Sequence, residues 1–236
     1  MLRKKLGDHQ FWSGVQTYLD DYKNSFAETD DFRRCLEKAS GFHLSRFFED
    51  WFRRPGCPKV KVEGSQSDNG YAVTLEQVLA TPQDEPFELT VTVGVKSKDG
   101  SWLYRTGELE SGRAVLSFDN LSTPEAVVVD PYGDSLFELE SALPFDIYAN
   151  MVTNCCHLLG RVQAAAYLLQ NGSRVALEAV NAAYKDEPHF GVRRLFIKYA
   201  MAKPHGRTTR LLLEWLTLEK DARVKPLLGL ALKGER

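Results

Sequence analysis

The sequence predicts an α+β chain of several domains: a short helical segment over 1–54, a small antiparallel β-sandwich over 55–143, and stacked helices over 144–236. Three observations carry this. Apolar residues recur at spacings of three and four as far as about Arg54. The period drops to two from about Cys57 to Leu143. Beyond Pro144 a helical pattern returns and repeats about every thirty-one residues.

In the first segment Phe11, Val15, Tyr18, Leu19 and Tyr22 make one apolar face, Phe32, Leu36 and Ala39 a second, and Leu44, Phe47, Phe48 and Trp51 a third. Thr29 is expected as an N-cap, with Asp30 and Asp31 in the first helical turn. Gly41 is a stop signal and Pro55 ends the last helix. Three short helices follow, each dependent on packing because isolated helices of this length are marginal.

In the second segment Val60 and Val62, then Tyr71, Val73 and Leu75, alternate with polar residues. Phe87, Leu89, Val91, Val93 and Val95 do the same, as do Trp102 and Tyr104, and Val127-Val128-Val129 is a short buried run. Asp68-Asn69-Gly70 and Lys98-Asp99-Gly100 are turn signals, the latter of hairpin type. About seven strands in so short a stretch predict a sandwich of antiparallel sheets.

In the third segment Arg161-Val162, Val192-Arg193-Arg194 and Arg223-Val224 each open an apolar helix. Ser173 to Tyr184 and Thr208 to Leu218 are the intervening helices. A helical pair recurring at this length resembles HEAT-type repeats, an α-solenoid in which stacking buries what no pair buries alone. Leu195, Phe196 and Tyr199 are expected on the inner helix of the middle repeat.

Thirty basic residues are offset by thirty-two acidic ones, and no long basic run breaks the balance, so nucleic acid is not an expected partner. No apolar stretch approaches the roughly twenty residues that span a bilayer, and Met1-Leu2-Arg3-Lys4-Lys5-Leu6 does not lead into an apolar signal region. Cys35, Cys57, Cys155 and Cys156 form neither a CxxC pair nor a Cys/His cluster. Cys155 and Cys156 read as neighbours on a helix, where their side chains diverge by about 100°. Free thiols in a reducing, cytoplasmic setting fit all four.

Leu36-Glu37, Ala39-Ser40-Gly41, Leu44, Phe47-Phe48 and Trp51, followed by Arg54-Pro55-Gly56-Cys57-Pro58, form a pattern with a known counterpart. It resembles the end of the catalytic domain in zinc aminopeptidases related to membrane alanyl aminopeptidase and leukotriene hydrolase. In that family a β-sandwich and a C-terminal helical domain follow, and bacterial members carry helical repeats there. Asp130-Pro131-Tyr132-Gly133 resembles a turn near the end of the family's sandwich. The resemblance implies a parent enzyme that uses zinc to remove N-terminal residues from peptides, and a chain that starts after the chemistry.

That chemistry needs H-E-x-x-H on a helix, where two histidines four apart hold one metal and the glutamate activates its water. His9, His43, His157, His189 and His205 are the five histidines; none is followed by Glu and none lies four residues from another. The family's G-x-M-E-N loop is absent too. No catalytic, cofactor-binding or metal-binding residue is therefore assigned. His189 with Asp186 and Glu187 belongs to a turn, Ser45 and Ser173 lack a G-x-S-x-G frame, and Gly7, Gly41 and Gly56 form no phosphate-binding loop.

Arg161, Arg193, Arg194, Arg207, Arg210 and Arg223 could line one face of the helical array. The resemblance implies that basic groups of this kind hold a peptide carboxylate; surface and pairing roles are the competing reading. The expected function is the non-catalytic C-terminal part of a zinc aminopeptidase, partnered by its missing N-terminal catalytic region and, in the complete enzyme, by a peptide substrate. The alternative is a free-standing HEAT-like interaction module without enzymatic activity. Phe11, Trp12, Phe47, Phe48 and Trp51 are expected to face an absent neighbour in the first case.

Overall fold

The computed structural model describes residues 1–67, 69–81, 83–203 and 206–233, with only the backbone of Glu110 and Lys233. Asp68, of an expected turn, and His205 lie outside the described residues. The chain opens with helices α1 (Leu2–Leu6), α2 (Asp8–Asp21), α3 (Thr29–Ser40) and α4 (Ser45–Phe48), the last continued by a π-helical turn over Glu49–Arg53. Helix α3 starts one residue earlier than Thr29 suggests. Glu28 is its N-cap, and the Glu28 amide donates to Asp31 Oδ2 at 3.0 Å in a capping box. Gly41 ends α3 in the left-handed conformation at φ 74°, as its type predicts.

Leu6, Leu36, Leu44, Phe47 and Phe48 form a small apolar cluster between these helices. Phe47 and Phe48 are thus buried within the chain rather than offered to a neighbour, because α1 and α3 cover them. Trp51 is half-buried and donates from Nε1 to the Glu88 carbonyl at 3.1 Å. Beside it, buried Asp50 accepts the Glu88 amide at 2.8 Å and Arg46 Nε at 2.9 Å. These contacts fix the helices to the segment leading into the second sheet. The exposed large side chains are instead Trp12, Leu19, Phe26, Phe42 and Phe52.

Seven strands make two sheets among the described residues. Strands β1 (Lys59–Ser67), β2 (Gly70–Val78), β5 (Arg113–Asp119) and β7 (Glu138–Ser141) form one, in the order β5-β2-β1-β7. Strands β3 (Thr90–Lys96), β4 (Trp102–Glu108) and β6 (Ala126–Val129) form the other, in the order β4-β3-β6. All pairs are antiparallel except β1 with β7, which is parallel. The long crossover through the other sheet permits this, since no hairpin joins the two strands. Phe87 and Leu89 are buried but precede β3, and the alternation of Leu116 and Phe118 in β5 is a strand that the sequence reading did not single out. Val60, Val62, Val73 and Leu75 face Val91, Val93 and Val95 across the core, as the period of two requires.

The C-terminal region is helical: α5 (Phe145–Asn154), α6 (Leu158–Asn171), α7 (Arg174–Asp186), α8 (Phe190–Ala202), α9 (Gly206–Leu218) and α10 (Lys225–Lys233). Helices α5, α7 and α9 touch in one layer and α6, α8 and α10 in a second; α5 with α6, α6 with α7, α8 with α9 and α9 with α10 meet between layers. Cys155 and Cys156 sit in the turn between α5 and α6, not on a helix, because Cys155 is extended at φ −81° and ψ 126°. Phe196 and Ile197 are fully buried in α8, whereas Leu195 is half-buried and Tyr199 is 38% exposed.

The array docks on the second sheet where α6 crosses β6. At Gly160 a Cβ would come within 2.5 Å of Cys155 Sγ and 2.7 Å of Val128 Cγ2, so only glycine permits this approach. Gly160→Ala is expected to destabilise the chain by about 1–3 kcal/mol, the usual cost of overpacking a close contact. In urea unfolding, Gly229→Ala is the control, since nothing lies within 4 Å of its added methyl. Equal midpoints for the two variants would contradict this account.

Candidate functional site

A recess with a volume of about 1100 Å³ lies between the two sheets and the helical array. One wall is β7 with the turn over Asp130–Gly133; the other is the side of α6 carrying Leu159, Gln163, Ala166, Tyr167 and Gln170, joined by Tyr199 and Lys203 from α8. The spacing of the α6 residues is that of one helical face.

Local chemistry holds the first wall. Asp130 is buried at φ 51°, a conformation that Asp tolerates better than most residues. Its carboxylate accepts the amides of Asp134 at 2.9 Å and Ser135 at 3.0 Å. Ser135 Oγ donates to the Thr90 carbonyl at 2.7 Å, and Lys4 bridges Thr92 Oγ1 and Asp134 at 2.9 Å each. The side-chain amide of Gln163 reaches β6, donating to the Val129 carbonyl at 2.5 Å and accepting its N–H at 3.3 Å.

Two of the six arginines singled out above are structural. Arg161 on α6 pairs through Nε and Nη2 with both carboxylate oxygens of Glu187, at 2.6 and 3.0 Å. Its Nη1 donates to the Cys155 carbonyl at 2.8 Å. Thirty-two positions on, Arg193 repeats the arrangement with Glu219, at 3.0 Å from Nε, and donates to the Glu187 carbonyl at 2.7 Å. Glu219 also accepts the Tyr184 hydroxyl at 2.8 Å and the Asp221 amide at 2.9 Å. Burial pushes Glu219 up, but these donors together with Arg193 outweigh it and hold its carboxyl below the usual range. Tyr184 is pushed up, first by burial and then by the adjacent Glu219.

Arg223 does not continue the series. It pairs with Asp221 at 2.7 Å and lies 3.6 Å over the Phe190 ring. Among the described residues Arg194 and Arg210 form no ion pair that would continue this series. Arg207 and Arg210 line a second recess with Lys203, next to the end of the first.

The remaining candidates are dispersed. Glu187 is committed to Arg161, and its only link to His189 is the His189 amide at 2.9 Å. Ser173 caps α7, accepting the Ala176 amide at 3.3 Å, and Ser45 Oγ accepts from Arg33 at 3.3 Å. His157 is ringed by Trp102, Tyr104 and Tyr132, with Tyr104 Oη 2.9 Å from Nε2, and burial lowers its pKa. Burial raises Cys155 to about 11. Among the described residues no three His, Cys, Asp or Glu side chains come together as a metal site. The sequence reading missed β7 and Gln163, and gave Tyr167 only a place on an apolar helix. The four residues of β7 include two glutamates, and its alternation is too short to register.

No family profile matches the sequence. Among curated proteins, the chain is 43% identical over 77 residues to "Probable aminopeptidase 2" of Sulfurisphaera tokodaii, covering 33% of this chain and 9% of that protein. It is 30% identical over 113 residues to "Tricorn protease-interacting factor F2" of Thermoplasma acidophilum, covering 47% and 14%. "Aminopeptidase N" of Escherichia coli gives 29% over 106 residues, covering 42% and 12%. This is an aminopeptidase-like chain, similar to a part of those proteins. The matched segments span about a tenth of the length of these relatives. The aminopeptidase-like fold extends further than the sequence similarity. The crystal structure of Legionella pneumophila aminopeptidase A in complex with aspartic acid aligns with a TM-score of 0.71 at 13% identity, covering 98% of this chain and 34% of that one. Among the described residues no helix is long and apolar enough to cross a membrane.

Proposed function

We propose that the chain is the C-terminal, non-catalytic part of a zinc-dependent aminopeptidase. Residues 1–54 would end the thermolysin-like catalytic domain, 55–143 form the β-sandwich, and 144–236 form a HEAT-like solenoid. The alternating helix layers and the Arg–Glu pairs recurring at thirty-two residues support the solenoid reading. The whole enzyme would remove N-terminal residues from peptides in the cytoplasm. Zinc would supply a polarised water there, held by residues of a catalytic region; this chain supplies scaffold and walls.

One observation carries the reading: nearly the whole chain follows an aminopeptidase fold, yet its sequence holds no H-E-x-x-H. The exposed Trp12, Leu19 and Phe26 on and after α2 suit a surface that meets a further domain.

The test is zinc stoichiometry and cleavage of aminoacyl anilides by the purified chain. Neither tight zinc nor cleavage is expected, because the ligands and general base are missing. One-to-one zinc with chelator-sensitive cleavage would overturn the reading. A monodisperse chain whose N-terminal helices resist proteolysis would instead support the free-standing interaction module.

A further inference from the structure

The recess between β7 and α6 has a wall that is an open sheet edge. Strand β7 is the last strand of its sheet and, among the described residues, pairs only with β1. The Glu138 amide donates to the Pro58 carbonyl at 2.9 Å and the Ala142 amide to the Val62 carbonyl at 2.9 Å. In a parallel pair, alternate residues bond the partner strand and those between them point the other way. Leu139 and Ser141 therefore turn their backbone N–H and C=O groups toward the recess, which both residues line. Their backbone groups have no partner among the described residues.

The other edges are partly covered. Strands β4 and β5 approach each other, and β6 has the side-chain amide of Gln163 bonded to both backbone groups of Val129. That amide acts as a short substitute strand, which β7 lacks.

The recess has the dimensions of a strand. Residues 137–141 line it over five positions, about 16 Å of extended chain. On the opposite side Leu159 to Gln170 spans about 16 Å of helix. Its two ends are chemically different. At one, Leu159 Cδ1 is 3.4 Å from the Cβ position at Gly133. At the other, Ser141 and Tyr167 both meet Tyr148, and Lys203 Nζ reaches the Gln170 carbonyl at 3.4 Å. Past Lys203 lies the second recess, with Arg207 and Arg210 among lining residues that include no carboxylate. On β7 itself, Glu140 is already paired with Lys59 at 2.7 Å.

We propose that this groove binds an extended peptide, which joins β7 as a fifth strand of the first sheet. Backbone bonds to Leu139 and Ser141 hold it, alternate side chains rest on Tyr167 and Tyr199, and an acidic group at one end meets Lys203 and Arg210. An edge that offers unpaired N–H and C=O groups in register selects an extended backbone over other ligands. The cationic end adds direction and salt dependence. The assignment stands apart from the aminopeptidase reading, since it uses only groups of this chain.

The probe is a fluorescein-labelled heptapeptide of alternating Thr and Val ending in two Glu, titrated against the full chain by anisotropy. Two backbone N-methylated versions are compared, one blocking alternate amides and the other the intervening set. One version is expected to bind at least about tenfold more weakly and the other to match the parent, because only one set of amides faces β7. The pair Lys203→Glu and Arg210→Glu should weaken binding about tenfold at low salt and less at high salt. Hydrogen exchange should slow at Leu139 and Ser141 when peptide is bound. Leu139→Pro removes an edge donor outside the β1 ladder and should abolish binding; if it unfolds, the N-methylated pair still decides. Equal binding by both N-methylated peptides, absence of binding, or protection confined to the exposed face of α2 would overturn the proposal.

Discussion

Glu219→Ala is expected to cost about 3–5 kcal/mol, the range for removing one partner of a buried pair. Glu219 is 6% exposed and accepts from Arg193, the Tyr184 hydroxyl and two backbone amides. Without the carboxylate, the guanidinium of Arg193, whose side chain is only 14% exposed, loses its hydrogen-bonded partner and keeps only the longer 3.6 Å contact with Asp221. Exchanging both partners for apolar residues, Arg193→Met with Glu219→Leu, should recover part of the loss, because two desolvated charges disappear together while the Tyr184 hydroxyl and two amides still lose their acceptor. Glu178→Ala breaks the exposed pair with Arg174 and should cost less than about 1 kcal/mol. Urea midpoints measure all three. Comparable costs for Glu178→Ala and Glu219→Ala would refute the distinction.

The same carboxyl sets an acid limit. Its native pKa lies below that of the unfolded chain, so the folded form binds the proton less readily. Its contribution is complete above the unfolded value, about 4.3, and is lost as pH falls through the lower native value. Wild type should therefore lose more stability on acidification than Glu219→Ala does.

Phe196→Ala is expected to cost about 3–5 kcal/mol, as a fully buried aromatic in α8. Helix α8 touches α6, α9 and α10, so the cavity removes contacts on both sides of the array. Lys203→Ala, at the exposed end of the same helix, should stay within about 0.5 kcal/mol. Hydrogen exchange should quicken in α8 to α10 while the β1–β2 ladder stays protected, because each helical pair is stabilised by its neighbours. Loss of protection confined to the two sheets would contradict it.

The periods of three to four and of two were enough to place most elements, since burial on one side of a helix or strand leaves its mark at every turn. Val73 and Leu75, or Phe196 and Ile197, are buried wherever such a pattern occurs. Short or polar elements left no such mark. Strand β7, with two glutamates in four residues, exists because β1 lends it a ladder. The N-cap moved from Thr29 to Glu28 because the Glu28 and Asp31 pair closes reciprocally, a fact about geometry rather than residue rank. The candidate site was less legible still. The arginines were visible, but which of them meets a carboxylate depends on residues about thirty positions away.

By itself the sequence determined the order of helices, strands and helices, the absence of H-E-x-x-H, and the likeness to aminopeptidases, because each is written in local spacing and residue type. Tertiary structure alone decided that Phe47 and Phe48 are covered, that Arg161 and Arg193 are spent on Glu187 and Glu219, and that β7 leaves an open edge beside α6. Those outcomes depend on which distant groups come within hydrogen-bonding or van der Waals reach, and no local periodicity encodes that.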